Sequence, residues 1–172
     1  MSNNISFILG GVRCGKSAYS EKIAMESDCR KIYVATCEAL DGELRERIKT
    51  HKARRGDDWQ LIEEAINIVD IIKNSANSDA VILVDCLTLW LSNLLHYNFD
   101  IEEYIADLCN ALREAKAKVI LVSNEVGQGI TPNNALARKF IDYAGILHQK
   151  IAKEADKVVF MIAGIPTIIK GE

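Results

Sequence analysis

Residues 10–17 have the sequence GGVRCGKS, which fits the pattern G-x-x-x-x-G-K-[ST] of a phosphate-binding P-loop. A mainly apolar run, residues 5–9, directly precedes this pattern, and a helical pattern over residues 17–25 follows it. A P-loop is a strand-to-helix turn in which backbone N–H groups and the positive end of the helix point at an anion. This context therefore favours a phosphate site over the alternative, a glycine-rich turn without a ligand.

The motif assigns a role to each of its key residues. Gly10 and Gly15 allow the tight backbone path of the loop. Lys16 is expected to reach the β and γ phosphates of a nucleotide, and Ser17 to hold Mg²⁺.

Asp85 ends a second apolar run, residues 80–84, which has the pattern of a strand buried on both faces. In a P-loop protein, an aspartate at the end of such a strand supports the metal that the P-loop serine holds. We therefore predict that Asp85 and Ser17 share Mg²⁺. The alternative is that Asp85 only caps the end of the strand.

A basic segment surrounds His51. Residues 41–55 form a helix pattern, and six residues between 45 and 55 are basic against one acid, Glu46. One interpretation is a solvated charged helix. The other interpretation is a segment that binds polyphosphate and whose histidine takes part in catalysis. Neighbouring cations disfavour the charged imidazolium, which would keep His51 neutral and nucleophilic, and the same cations would stabilise a pyrophosphate leaving group.

Several other polar residues have two interpretations each. Glu63 is an exposed helix acid by default, and an acceptor for a ligand hydroxyl if it faces the pocket. Asn124 and Glu125 follow an apolar run, residues 118–123, so they belong either to an ordinary loop or to a substrate site beside the P-loop. His96 and His148 are interpreted as structural or exposed.

The elements that must position these residues alternate along the chain. The predicted strands are residues 5–9, 31–37, 80–85, 118–123 and 157–163. The predicted helices are residues 17–25, 41–55, 60–75, 86–95, 101–116 and 133–155, with a short terminal segment at 167–170. This alternation predicts an α/β fold with a mainly parallel sheet, in which ligands bind at the carboxyl ends of strands. Ala35, Thr36 and Cys37 are therefore expected near the nucleotide.

The bulk composition limits the possible functions. A chain of 172 residues has the size of one domain, and a net charge of −3 provides no global basic field for nucleic acid. The five cysteines lack C-x-x-C spacing, which argues against a disulfide framework or a zinc site. The sequence shows no signal-peptide pattern and no run long enough to span a membrane, so we expect a cytoplasmic protein.

Five segments occur in one order that resembles a known family. They are GGVRCGKS, RIKTHKARR with the downstream Trp59 and Glu63, VDCLTLWLSNLL, VSNEVGQGITPNNALARKFIDYAGILHQKIA and AGIPTIIK. Together they resemble the bifunctional adenosylcobinamide kinase / adenosylcobinamide-phosphate guanylyltransferases of cobalamin biosynthesis. The P-loop itself is generic, whereas the NEVGQGI-P block followed by LAR-F-D-AG is specific to that family.

The resemblance implies two reactions and a fold. A nucleoside triphosphate, ATP or GTP, phosphorylates adenosylcobinamide; GTP then transfers GMP to that phosphate through a GMP-histidine intermediate. The family histidine falls on His51. The resemblance also implies a RecA-like P-loop NTPase domain spanning residues 1–172, Mg²⁺ as cofactor, a corrinoid substrate and a homo-oligomer, a trimer in the family.

The family's functional residues map onto this chain by motif. Lys16, His51 and Asp85 are the predicted catalytic residues. The nucleotide contacts implied by the resemblance are Gly10, Gly11, Val12, Arg13, Cys14, Gly15, Lys16, Ser17, Ala35, Thr36, Cys37, Lys52, Ala53, Arg54, Arg55, Glu63 and Asp85.

The sequence also departs from the family pattern. Cys14 stands where the family loop usually has serine, Gly56 where proline is common, and Thr50 where some relatives have a second histidine. His51 is thus the only candidate nucleophile in the basic segment. Two alternative functions stay open: a P-loop kinase of another small molecule without guanylyl transfer, and a nucleotide-gated interaction module.

Overall fold

The structure is a computed structural model that describes residues 5–37, 58–75 and 79–171. In these residues seven strands form one sheet in the order β3-β2-β4-β5-β1-β6-β7. In this order, every strand from β3 through β6 is parallel to its neighbours, and β7 runs antiparallel to β6. The structure therefore confirms the predicted α/β fold with a mainly parallel sheet.

Helices alternate with the strands along the chain. The strands are β1 (Ile5–Gly10), β2 (Arg30–Ala35), β3 (Trp59–Glu63), β4 (Ala80–Asp85), β5 (Lys118–Asn124), β6 (Lys157–Ile162) and β7 (Ile165–Lys170). The helices are α1 (Lys16–Met25), α2 (Ile68–Ser75), α3 (Leu87–His96), α4 (Ile101–Glu114) and α5 (Ala135–Glu154).

The central strands of the sheet are buried on both faces, which explains why their sequences are almost continuously apolar. Successive side chains of a strand point to opposite faces. In β1, Phe7 and Leu9 therefore pack in the cluster that includes Trp90 and other residues of helices α2 to α5, whereas Ile8 packs in the cluster that includes Ala24 of α1. The end of each parallel strand is consequently the part of the sheet that can face a ligand.

Two parts of the chain differ from the sequence prediction. The amphipathic run at residues 60–75, predicted as one helix, is divided into β3 and α2. The helical spacing of the apolar residues there is overridden by the pairing of β3 with β2. In a strand, Leu61 and Ile62 point to opposite faces of the sheet, and each packs against a different hydrophobic cluster. The predicted terminal segment at 167–170 is part of β7, which pairs with β6. The predicted helix at 41–55 lies outside the described residues.

The register of the strands lines up the candidate residues at the carboxyl edge. Glu63 pairs with Ala35, and Ala35 pairs with Asp85 on its other side. On β1, Gly10 pairs with Asn124 of β5 and with Met161 of β6. The strand ends that carry the predicted site residues therefore meet along one edge.

Candidate active site

The P-loop residues 10–17 join β1 to α1 and lie against β6. Gly10 has a φ of 150°, and a Cβ atom there would lie 2.5 Å from the main-chain oxygen of Met161. Gly15 has a φ of 96°, a left-handed backbone conformation that glycine adopts without steric cost. Both glycines are therefore required for the chain to turn between strand and helix at this short distance from β6.

Two main-chain hydrogen bonds fix the loop from either side. The N–H of Gly164, in the turn between β6 and β7, donates to the Cys14 carbonyl at 3.0 Å. The N–H of Glu125, directly after β5, donates to the Gly10 carbonyl at 3.0 Å. The loop is thus held in place by both strands that neighbour β1.

Lys16 is buried although it is charged, with only 7% of its surface exposed. Its Nζ donates to the Gly11 carbonyl at 2.5 Å and lies 3.7 Å from the Cys14 Sγ. The ammonium therefore lies across the loop. A buried cation is stabilised when an anion binds beside it, so this position suits phosphate oxygens.

Ser17 and Asp85, the two residues assigned to Mg²⁺ from the sequence, are in direct contact. The Ser17 Oγ donates to Asp85 Oδ2 at 2.7 Å, and the Tyr33 hydroxyl donates to the same oxygen at 3.0 Å. Tyr33 is buried. The carboxylate is consequently oriented by the neighbouring strand β2 and by the first turn of α1.

The oxygens of Ser17 and Asp85 fit a magnesium ion. Mg²⁺ prefers oxygen ligands and is commonly held by one or two protein groups together with substrate phosphates and water. Within residues 5–37, 58–75 and 79–171, no group of three or more His, Cys, Asp or Glu side chains is arranged to hold a metal. The two oxygens of Ser17 and Asp85 fit a Mg²⁺ site whose other ligands are nucleotide phosphates and water.

Thr36 joins β2 to the chain that follows β4. Its Oγ1 donates to the Cys86 carbonyl at 2.7 Å and accepts from the Cys86 N–H at 2.8 Å. Its main-chain carbonyl accepts from the Asn93 side chain at 2.9 Å. Burial, together with the neighbouring Asp85 carboxylate, raises the pKa of the Cys86 thiol to about 11, so that thiol stays protonated and unreactive at neutral pH.

We expect Thr36→Val to lower the free energy of unfolding by about 2–4 kcal/mol, because two buried main-chain groups of Cys86 would lose their partner. Valine has nearly the same shape, so the loss would report the hydrogen bonds rather than packing. Urea denaturation measures it, with Thr36→Ser as the control that keeps the hydroxyl. Equal stability of the Val and Ser variants would contradict this role.

The end of β5 contains a second polar cluster. The Ser123 Oγ lies 2.8 Å from His148 Nε2, and the Asn124 N–H donates to Thr88 Oγ1 at 2.9 Å. Burial lowers the pKa of His148, and the nearby Glu125 carboxylate opposes that shift. His148 therefore has the structural role predicted for it, whereas His96 is exposed.

Acidification should destabilise the protein in part through His148. An unfolded histidine binds a proton near pH 6.5, whereas the folded chain binds it only at a lower pH. The stability that His148 contributes is thus present above about pH 6.5 and lost as the pH falls below that value. His148→Gln should reduce the difference between urea unfolding free energies at pH 7.5 and 5.5. An unchanged difference would exclude this linkage.

Two comparisons with known proteins identify the family. The family model described as cobinamide kinase / cobinamide phosphate guanyltransferase matches residues 6–169. The chain belongs to this family. A Pseudomonas aeruginosa protein named bifunctional adenosylcobalamin biosynthesis protein CobP is 43% identical over 169 residues, covering 96% of each chain. The Escherichia coli protein named bifunctional adenosylcobalamin biosynthesis protein CobU is 35% identical over 178 residues, covering 95% of this chain and 98% of that protein.

Solved structures with low sequence identity support the fold alone. The flagellar accessory protein FlaH from Methanocaldococcus jannaschii has a TM-score of 0.54 at 14% identity, over 99% of this chain and 79% of that one. The RadB recombinase has a TM-score of 0.55 at 13% identity, over 92% and 74%. The RecA-like P-loop fold that the sequence implies is thereby confirmed.

The family pattern also names residues that the structure brings to one edge and others that it does not describe. Glu63 and Ala35 end β3 and β2 beside Asp85, in the register given above. His51, Lys52, Ala53, Arg54 and Arg55 lie outside the described residues. The nucleotide contacts assigned to all these residues stay predictions.

Among the helices that the structure describes, none combines the length and the apolar character that a membrane span needs.

Sequence reasoning missed two side chains that organise the site. Tyr33 binds Asp85, and Asn93 donates both to the Thr36 carbonyl and to the Ala65 carbonyl, at 2.9 and 3.1 Å. Tyr33 is the one aromatic residue in the strand run predicted at residues 31–37. A hydroxyl four residues before the end of that predicted strand was the available signal.

Proposed function

We propose that this chain catalyses two successive reactions of cobalamin biosynthesis at one P-loop. In the first, a nucleoside triphosphate phosphorylates the aminopropanol hydroxyl of adenosylcobinamide. In the second, GTP transfers GMP to that phosphate, which releases pyrophosphate and gives adenosylcobinamide-GDP. Membership in the cobinamide kinase / cobinamide phosphate guanyltransferase family is the observation that carries this proposal, since the P-loop alone would indicate only a kinase of unknown substrate.

The kinase reaction is assigned to the groups around the P-loop. The buried Lys16 ammonium would bind the β and γ phosphates and stabilise the charge that develops as the γ phosphoryl group is transferred. Gly10 and Gly15 shape the loop so that its N–H groups face the phosphates. The contact between Ser17 and Asp85 supports their assignment to Mg²⁺. When bound, Mg²⁺ would neutralise phosphate charge.

The guanylyl transfer is assigned to His51 in the basic segment. A neutral imidazole nitrogen would attack the α phosphorus of GTP, forming a nitrogen–phosphorus bond while the bond to pyrophosphate breaks. The phosphate of adenosylcobinamide phosphate would then displace His51 and carry away GMP. Lys52, Arg54 and Arg55 would stabilise the departing pyrophosphate, since their charges oppose those of its oxygens.

The partners, the location and the oligomeric state of the protein are also proposed, mainly from its family membership. The small-molecule partners are a corrinoid and the nucleotides GTP and ATP, and the net charge of −3 argues against nucleic acid. Residues 1–172 would work as one catalytic domain in the cytoplasm. Family resemblance further favours a homo-oligomer, specifically a trimer.

Position-specific labelling of GTP tests the proposal. The chain is incubated with adenosylcobinamide, Mg²⁺ and GTP labelled at either the α or the γ phosphate. We expect γ label in adenosylcobinamide phosphate and α label in adenosylcobinamide-GDP. Transfer of γ label without α label would favour the simple kinase, and nucleotide binding without transfer of either label would favour the interaction module.

A further inference from the structure

A cleft of about 590 Å³ opens beside the P-loop, and apart from Gly11 and Cys14 its lining residues are not among the nucleotide contacts proposed above. Gly11 and Cys14 of the P-loop form one side of this cleft. The other sides come from the loop after β5, including Glu125, and from the end of β6, including Phe160. A molecule in this cleft would therefore lie directly against the loop that holds the phosphates.

The order of the strands separates the cleft from the proposed nucleoside contacts at Ala35 and Glu63, because β4 lies between β2 and the strand β5 that borders the cleft. Asp85, Ala35 and Glu63 end β4, β2 and β3, which follow one another on one side of β1. The cleft lies where β1 meets the ends of β5 and β6. A nucleotide whose nucleoside contacts the ends of β2 and β3 would direct its terminal phosphate across the P-loop toward the cleft.

Glu125 is the carboxylate of this cleft, and its position is fixed by its own loop. Its Oε1 accepts from the Gly127 N–H at 2.8 Å, and its Oε2 accepts from the Gln128 N–H at 3.2 Å. Its main-chain N–H donates to the Gly10 carbonyl of the P-loop at 3.0 Å. Each carboxylate oxygen can accept a further hydrogen bond. The side chain is thus held in one orientation with acceptor capacity left for a substrate hydroxyl.

We propose that this cleft is the acceptor-alcohol subsite of the kinase reaction and that Glu125 is its general base. The inference rests on the function proposed above. The hydroxyl oxygen of the substrate attacks the γ phosphorus and forms the new oxygen–phosphorus bond. The bond between the γ phosphorus and the bridging oxygen breaks, so the nucleoside diphosphate leaves. The hydroxyl proton passes to the Glu125 carboxylate.

The walls of the cleft match a substrate with apolar surfaces and amide side chains, as a corrinoid has. Val126, Phe160 and Ile162 are apolar, whereas Gln128 can donate and accept hydrogen bonds as an amide. The cleft is too small for a whole corrin ring with its substituents, and it opens to the surface. We therefore assign it to the arm that carries the hydroxyl, with the macrocycle lying outside the opening.

Glu125→Gln separates this role from a structural one. The amide cannot serve as a base, so kcat for phosphorylation of adenosylcobinamide should fall by about 10²-fold or more. Nucleotide affinity should stay within about threefold of wild type. Transfer of GMP from GTP to preformed adenosylcobinamide phosphate should continue, because a phosphate acceptor, whose second pKa is about 6, needs no base at neutral pH.

Asp100→Asn provides the matched control. Asp100 also accepts from the N–H groups two and three residues ahead, at 3.0 and 3.1 Å, but it caps α4 and does not line the cleft. This variant should keep both activities. A kinase rate of Glu125→Gln within about threefold of wild type would overturn the proposal, as would equal losses in the two transfer reactions or a loss of nucleotide binding.

Gly129→Trp tests the cleft without changing its carboxylate. Apart from its two chain neighbours, no residue would have a heavy atom within 4 Å of a Cβ atom at Gly129, so the added side chain has room at the cleft. We expect KM for adenosylcobinamide to rise by about tenfold or more with little change in nucleotide affinity. An unchanged KM would overturn the subsite. A wild-type chain that never phosphorylates adenosylcobinamide would instead overturn the proposed function itself.

Discussion

His51→Ala should abolish covalent labelling of the chain by α-labelled GTP and reduce formation of adenosylcobinamide-GDP by as much as about 10⁶-fold, the scale of loss when a covalent nucleophile is removed. Alanine supplies no nitrogen to bond the α phosphorus. Wild-type chain incubated with α-labelled GTP and Mg²⁺ and then denatured should keep the label. That label should be released by acid and survive alkali, as expected for a bond between phosphorus and an imidazole nitrogen.

Two further measurements make this prediction specific to His51. His96→Ala changes an exposed histidine of α3 and should leave the labelling intact. Phosphorylation of adenosylcobinamide from γ-labelled GTP should continue in His51→Ala, because its proposed groups lie at the P-loop and in the cleft. Label that fails to stay on the wild-type chain, or that persists in His51→Ala, would refute the GMP-histidine mechanism.

The two reactions require different phosphates of the nucleotide to meet different partners. Kinase chemistry brings the γ phosphate to the acceptor alcohol, whereas guanylylation brings the α phosphate to His51. Variants at the two partners should consequently affect the reactions separately: His51→Ala removes guanylyl transfer, and Glu125→Gln removes phosphorylation. A variant of the shared phosphate cradle should impair both.

Much of the fold was predictable because its central strands have unambiguous patterns. The runs that become β4 and β5 have continuous apolar centres, as strands covered on both faces must have, and each ends in a polar residue at the ligand edge. The same reasoning predicted that Ser17 and Asp85 lie close together, since both were assigned to one Mg²⁺ ion. Their hydrogen bond agrees with that proximity, and the shared ion stays a prediction.

The missed features depend on contacts between distant parts of the chain. The residues Trp59–Glu63 form β3 because they pair with β2, and spacing within the segment does not show that pairing. The orientation of Tyr33 toward Asp85 requires β2 and β4 to be neighbours in the sheet. The orientation of the Glu125 carboxylate depends on N–H groups in the loop that follows it, which apolar periodicity does not predict.

Lys16→Ala should reduce phosphorylation of adenosylcobinamide by about 10²- to 10³-fold, because it removes the buried cation that would stabilise charge on the transferred phosphoryl group. Guanylylation of His51 should also fall, since the pyrophosphate leaving group would use the same cradle. The rate of transfer from γ-labelled GTP at saturating adenosylcobinamide measures the first effect, and retention of α label on the denatured chain measures the second.

Lys22→Ala is the matched control for this variant. Lys22 lies on the same helix as Lys16 but is exposed, so its removal changes the charge of α1 without changing the phosphate cradle. Thermal unfolding of both variants would show whether loss of the Lys16 hydrogen bond to Gly11 alters the fold. If Lys16→Ala folds normally and phosphorylates adenosylcobinamide at the wild-type rate, the P-loop does not hold the reacting phosphate and the kinase assignment fails.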